Sequence, residues 1–155
     1  MRAVIQRVNS ASVTVDGETK GAVQLGLVVL VGITQSDGPD EAAYLAEKIL
    51  NMRLFPAPGS DTGFELSAVD VKAGVLLVSQ FTLYASTRKG RRPSFTAAAP
   101  GDAAGPLFER VVSAFQKSGL QVDTGIFGAH MHVALENDGP VTIILDTDER
   151  FTPRG

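Results

Sequence analysis

Short apolar runs, some alternating and some continuous, are broken along this chain by Gly, Pro, Asn and Asp, and helical spacing of apolar residues occurs in two stretches. Met1 to Val8 reads as a strand. Val13 to Asp16 alternates, Asp16-Gly17 turns, and Thr19 to Val23 returns, which predicts a hairpin. Leu25 to Ile33 is a continuous Val, Leu and Ile run, the pattern of a central strand buried on both faces. Pro39 and Asp40 open a helix to about Asn51, with Ala42, Leu45, Ala46 and Ile49 on its buried side. A loop follows from Phe55 to Asp61. Phe64 to Leu66 reads as a short strand and Val75 to Gln80 as a buried one. Residues 85–101 are irregular. A second helix runs to about Lys117 on an apolar stripe of Leu107, Phe108, Val111, Val112 and Phe115, and it admits Pro106 only in its first turn. Met131 to Leu135 and Val141 to Leu145 read as strands joined by an Asp138-Gly139-Pro140 hairpin turn. Residues 146–155 are polar, contain Pro153, and read as a mobile tail.

Many strands with two main helices predict an α+β fold in which a strongly curved sheet packs on the helices. With 155 residues, the chain is long enough to bury one core, and no linker or repeat divides it. Its longest apolar stretch is too short for a membrane span, which needs about 20 residues, and it opens with no signal-peptide pattern. The expected chain is therefore soluble and cytoplasmic. Zero cysteines exclude disulfides, a thiol nucleophile and a thiolate zinc site. A net charge of −3 argues against a duplex-coating protein, so no DNA partner is expected. It leaves room for a local patch that grips RNA phosphates.

Candidate chemistry begins where the apolar run Val75 to Val78 turns abruptly into Ser79-Gln80-Phe81-Thr82. A strand that turns polar at its end delivers side chains and backbone N–H groups to a rim, where N–H donors can form an oxyanion hole. Ser79 or Thr82 can alternatively serve as a nucleophile, which normally needs an adjacent base. The only histidines, His130 and His132, lie in another strand. Two such residues are too few for a metal centre, and neither a metal nor a cofactor is expected. Gly139-Pro140 lacks one backbone donor and is restricted in its dihedrals, so it can hold its carbonyls outward. Arg88, Lys89, Arg91 and Arg92 place four of the 14 basic residues within five positions. That loop is a candidate phosphate clamp, with Phe95 or Tyr84 able to stack on an unpaired base.

Taken together, these motifs resemble the D-aminoacyl-tRNA deacylase family. The likeness rests on Met1 to Val8 with Ala11 to Val15, on Ser79-Gln80-Phe81-Thr82-Leu83, and on Arg92-Pro93-Ser94-Phe95. Thr124-Gly125 with Phe127-Gly128, and Asn137-Asp138-Gly139-Pro140-Val141-Thr142, complete the ordered set. The resemblance covers residues 1 to about 145 as a single domain and leaves 146–155 outside it. It implies a homodimer with a β-barrel-like core and active sites at the subunit interface. It implies hydrolysis of D-aminoacyl-tRNA, and of glycyl-tRNA, with backbone groups around Gln80 and Phe81 positioning the ester and the tRNA 2′-hydroxyl assisting. By the same likeness, Gly139 and Pro140, in a cis peptide, reach across from the partner subunit and exclude L side chains. Arg7 braces them, and Met131 and Pro93 join the substrate pocket. A catalytic segment of Ser79, Gln80, Phe81 and Thr82 and a tRNA contact at residues 88–92 complete the expectation.

Overall fold

A single long strand, β1 (Arg2–Val15), organises the sheet. The computed structural model describes residues 1–154. The second half of β1 pairs antiparallel with β2 (Glu18–Val23) through the Asp16-Gly17 turn. Both turn residues have positive φ, 50° and 78°, as a tight hairpin loop requires. The first half of β1 pairs with β3 (Gly26–Gly32), and β3 pairs parallel with β6 (Gly74–Ser79). Outside β6 lies β7 (Val122–Thr124), again parallel. The sheet is nearly closed like a barrel by side chains of the β7 segment: the Asp123 carboxylate accepts from Ala22 N–H at 2.9 Å, and the Gln121 amide donates to Ala22 C=O at 3.0 Å.

Strand alternation divides the apolar residues between two cores. Leu27, Val29 and Val31 of β3 face helix α1 (Pro39–Asn51) and helix α3 (Gly101–Gln116), packing with Leu45, Ile49 and Phe115. Val28 faces the opposite side with Val8, Val13, Leu76 and Val78. The central position predicted for the 25–33 run is therefore observed. The short strand expected at Phe64 to Leu66 is found slightly later, as β5 (Leu66–Ser67), paired with β4 (Arg53–Phe55). Strands β4 and β7 and the four-residue α2 (Ala68–Val71) have no counterpart in the sequence reading. Pro106 differs from expectation as well. α3 starts at Gly101, so Pro106 sits in its second turn. There its missing N–H costs one bond to the Asp102 carbonyl, near the end of the helix, where few bonds have yet formed.

The C-terminal strands do not form the predicted hairpin. They are one strand, β8 (His132–Asp146), antiparallel to β1 over almost its whole length. Val8 pairs with Asn137 and Gln6 with Thr142, so residues 138–141 stand opposite Arg7 alone and leave the ladder as an excursion. Asp-Gly-Pro supplies turn chemistry in either case. Here β1 is long enough to hold both flanks, so the chain bulges and continues instead of reversing. The Gly139-Pro140 peptide is cis.

The expected mobile tail is instead folded through residue 151. A 3-10 turn, Thr147–Phe151, buries Thr147, whose N–H donates to Met1 C=O at 2.9 Å. Arg2 pairs with Asp146 at 2.9 Å, Arg150 pairs with Glu41 of α1, and the Arg150 guanidinium lies 5.2 Å from the Tyr44 ring. Burial opposes ionisation of Asp146 and Glu41. For Asp146 it is outweighed by the Arg2 hydrogen bond and the Asp148 N–H, and for Glu41 by the Gly38 N–H and Arg150, so both carboxyls titrate below their usual values. A depressed folded-state pKa stabilises above the unfolded value and loses that contribution as pH falls through the folded one. Amide-exchange protection of residues 147–151 should therefore hold at neutral pH and fall below about pH 4, earlier than in the core strands. Equal loss of protection in this turn and in β3 would contradict these attachments.

Candidate active site

The apolar strand β6 ends at Ser79, and a 3-10 turn, Phe81–Tyr84, follows at once. The turn rides directly over the end of β3 because residue 32 is glycine. A Cβ there would come within 2.9 Å of Leu83 Cβ and 3.0 Å of Gln80 C=O. Gln80 N–H is tied to Val31 C=O at 2.8 Å. The first donor bonded within the turn is Leu83 N–H, to Gln80 C=O at 3.2 Å. The N–H groups of Phe81 and Thr82 precede that bond, and among the described residues neither has a backbone acceptor. The open donors of this segment thus belong to Phe81 and Thr82 and not to Gln80.

Ser79, Gln80 and Phe81 line a cavity of about 360 Å³. Its far wall is the 127–131 segment, including Phe127, His130 and Met131, and its floor includes Ala104 of α3. Phe127 packs on Phe108 at 6.0 Å between ring centroids. Met131 is seated over Gly125, where a Cβ would lie 2.4 Å from the Met131 sulfur. The walls are mainly apolar with a few convergent polar groups, the usual character of a small-ligand pocket. Sequence reasoning places Phe127 only within a motif and assigns it no role, because nothing local marks it as a wall.

Thr82 lies beside the cavity and not in its lining, and its hydroxyl accepts a hydrogen bond from the Gln80 amide. An amide donor cannot take a proton from that hydroxyl. His130 Nε2 and His132 Nε2 are 3.1 Å apart, and among the described residues no group of three or more His, Asp or Glu is placed to hold a metal.

Arg88, Lys89, Arg91 and Arg92 occupy the exposed tip of a loop closed by paired bonds between Ser86 and Ser94, at 2.7 and 2.9 Å. Among the described residues none of the four has a carboxylate partner. Pro93 is exposed at the foot of this loop, and Phe95 meets Phe81 edge-to-face at 5.2 Å, joining the loop to the cavity rim. Tyr84, a candidate base-stacking residue by sequence, is buried beneath Arg2, whose guanidinium sits 4.5 Å from its ring. Burial, then the nearby Asp37 and Asp146 carboxylates, push its hydroxyl pKa upward. Phe95 remains accessible.

Gly139 and Pro140 are exposed and do not line this cavity within one chain. They are held instead by Arg7, which is 4% exposed. Its Nη1 donates to Leu54 C=O at 2.8 Å, and its Nε lies 2.9 Å from an Asp138 carboxylate oxygen, an ion pair without the alignment of a hydrogen bond.

Over nearly its whole length this arrangement has known relatives. The family model described as D-Tyr-tRNA(Tyr) deacylase matches residues 4–146. A D-aminoacyl-tRNA deacylase of Thermus aquaticus is 55% identical over 150 residues, 97% of each chain. One of Koribacter versatilis is 52% identical over 97% of this chain and 100% of its own. A solved structure described as the c-Myc DNA Unwinding Element Binding Protein superposes with a TM-score of 0.88 at 40% identity, covering 94% of this chain and 98% of its own. A probable eukaryotic D-amino acid tRNA deacylase shares the fold, with a TM-score of 0.82 at 16% identity, over 93% of this chain and 97% of its own. At this identity and coverage the chain is a hydrolase of the same class as these deacylases. The chain belongs to the D-Tyr-tRNA(Tyr) deacylase family.

Proposed function

We propose that this chain hydrolyses the ester of D-aminoacyl-tRNAs in the cytoplasm, accepts glycyl-tRNA, including tRNA(Ala) mischarged with glycine, and rejects L-aminoacyl esters. The carrying observation is the cavity at the end of β6, with open N–H donors on Phe81 and Thr82 and no base beside Thr82. In this reading Phe81 N–H polarises the ester carbonyl, and the 2′-hydroxyl of the terminal ribose helps activate water. Phe127 and Met131 contact the bound end of the substrate. Positioning supplies much of the barrier reduction for an ester that is already reactive.

Rejection of L substrates is assigned to Gly139 and Pro140 of a partner subunit, whose carbonyls receive the substrate ammonium and leave no room for an L side chain. Two features support a homodimer. Among the described residues β8 pairs with β1 on one edge and with no strand on the other. Its residues Ile144 and Val133 are 75% and 36% exposed, and an open apolar edge strand is the kind of surface a second copy covers. Among the described residues no helix is long and apolar enough to cross a membrane, and no DNA partner enters this reading. The direct experiment is release of D-tyrosine from D-tyrosyl-tRNA by the purified protein, and an ester that stays intact ends the proposal.

The basic loop is the proposed tRNA contact, with Pro93 at its foot. Exchanging Arg88, Lys89, Arg91 and Arg92 for Gln should raise KM for D-aminoacyl-tRNA while kcat changes little. It should also flatten the salt dependence of binding, by about 0.7–0.9 in log–log slope for each phosphate the loop no longer neutralises. Unchanged salt dependence would remove the loop from the interface. For Thr82, Thr82→Val should keep turnover within about tenfold of the parent, since a hydroxyl without a base is a poor nucleophile. Complete loss with every substrate, together with a trapped acyl-enzyme in the parent, would establish Thr82 as the nucleophile instead.

A further inference from the structure

The excursion that carries Gly139-Pro140 leaves and rejoins β8 across a narrow neck, and one side chain spans that neck. Asn137 Nδ2 donates to Arg7 C=O at 2.8 Å, on the facing strand β1. The same nitrogen donates to Val141 C=O at 2.9 Å, on the returning leg. Asn137 Oδ1 accepts from the Thr142 hydroxyl at 3.2 Å, and Thr142 in turn receives the Gln6 amide at 3.3 Å. The amide orientation follows from its partners, because two carbonyl oxygens can only accept and so must face the NH₂ group. Arg7, the one β1 residue opposite the excursion, is thus engaged twice. Its backbone carbonyl is held by Asn137, and its side chain contacts Asp138.

We infer that Asn137 is a positioning residue for substrate selection: it closes the neck of the excursion and so fixes where Gly139 and Pro140 project. This inference rests on the proposal that those two residues form the D/L filter. Asn137 does not line the cavity and touches no reacting atom in this account. Its influence is on selectivity, through the distance and direction at which the two carbonyls are presented. A filter based on exclusion is sensitive to looseness. A tip that can swing aside admits an L side chain even while hydrolysis of the D ester continues.

Asn137→Asp isolates this role because it keeps the shape and removes the donors. At neutral pH an ionised carboxylate would face the Arg7 and Val141 carbonyls, acceptor against acceptor. Protonation restores one O–H donor, and those surroundings raise the pKa of the introduced carboxyl. The experiment measures kcat/KM on D-tyrosyl- and L-tyrosyl-tRNA from pH 5.5 to 8 for the parent and the variant, with melting temperatures for both. The expected result is a D/L ratio reduced about tenfold or more at pH 8, recovering toward pH 5.5 in Asn137→Asp alone. Thr142→Val, which removes the bond orienting the amide together with the exposed Gln6 contact but leaves both Asn137 donors in place, should lower the ratio less and without pH recovery. It also provides a second reading should Asn137→Asp fail to fold. A parent that discriminates, with variants whose ratio is unchanged at every pH, overturns the inference and leaves the filter standing. A parent that does not discriminate overturns the filter and this inference together.

Discussion

Gly139→Ala should abolish most of the discrimination between D- and L-aminoacyl esters. Gly139 has φ 122°, a conformation L side chains rarely adopt, and an added Cβ would meet Val141 Cγ2 at 2.8 Å and Arg7 Nη2 at 3.3 Å. Neither neighbour yields freely, since Arg7 is buried and bound to Leu54 and Asp138. Forcing a side chain into that region costs about 1–3 kcal/mol, so the loop tip shifts. The measurable result is a D/L ratio of kcat/KM reduced about tenfold or more, with the melting temperature changed much less than for a core truncation. A variant with unchanged selectivity would remove Gly139 from the filter. The same substitution tests the shared site. Mixed dimers of a Gly139→Ala subunit with a Phe81→Pro subunit contain one site with both lesions and one with neither. Mixing should therefore restore selective hydrolysis that each parent variant lacks. No recovery, or a fully active monomer in sedimentation, would place the filter and the pocket on one chain.

The second large effect concerns the backbone donor. Phe81 opens the 3-10 turn, a position where proline is tolerated because its N–H has no partner within the turn. Phe81→Pro removes that N–H, and Phe81→Ala keeps it while removing the same ring. The ratio of the two therefore isolates the donor. If Phe81 N–H stabilises the developing oxyanion, kcat for Phe81→Pro should fall roughly 10²–10³ below Phe81→Ala, with KM nearly equal. Equal kcat values would show that the oxyanion is stabilised elsewhere, with Thr82 N–H the next open donor.

What the sequence makes legible follows from how far each signal reaches. Asp16-Gly17, the Pro39 helix start and the two-sided burial of the 25–33 run are local patterns, and each is found where predicted except that Leu25, just before β3, is exposed. β7 is not legible, because its three residues are all half-buried and carry no alternation. The Asp138-Gly139-Pro140 segment reads as a reversal because turn chemistry is the same for a hairpin and for a bulge. What decides between them is the 14-residue length of β1, which pairs with both flanks. The tail reads as mobile because Thr147 and Arg150 look like ordinary polar residues. Their partners, Met1 and Glu41, lie more than a hundred positions away. The Ser79 to Thr82 segment is legible as the end of a strand turning polar. Which N–H groups stay open is not, since that depends on Val31 capturing Gln80.

The measurement closest to the central claim is a metal-free deacylation assay of the purified protein on D-tyrosyl-, L-tyrosyl- and glycyl-tRNA at equal concentration. The account predicts rapid loss of the D and glycyl esters, with the L ester decaying no faster than without protein. Loss of all three at similar rates would contradict the filter at Gly139 and Pro140. If all three persisted, the chain would be a module that binds RNA without cleaving the ester, and the account would fail.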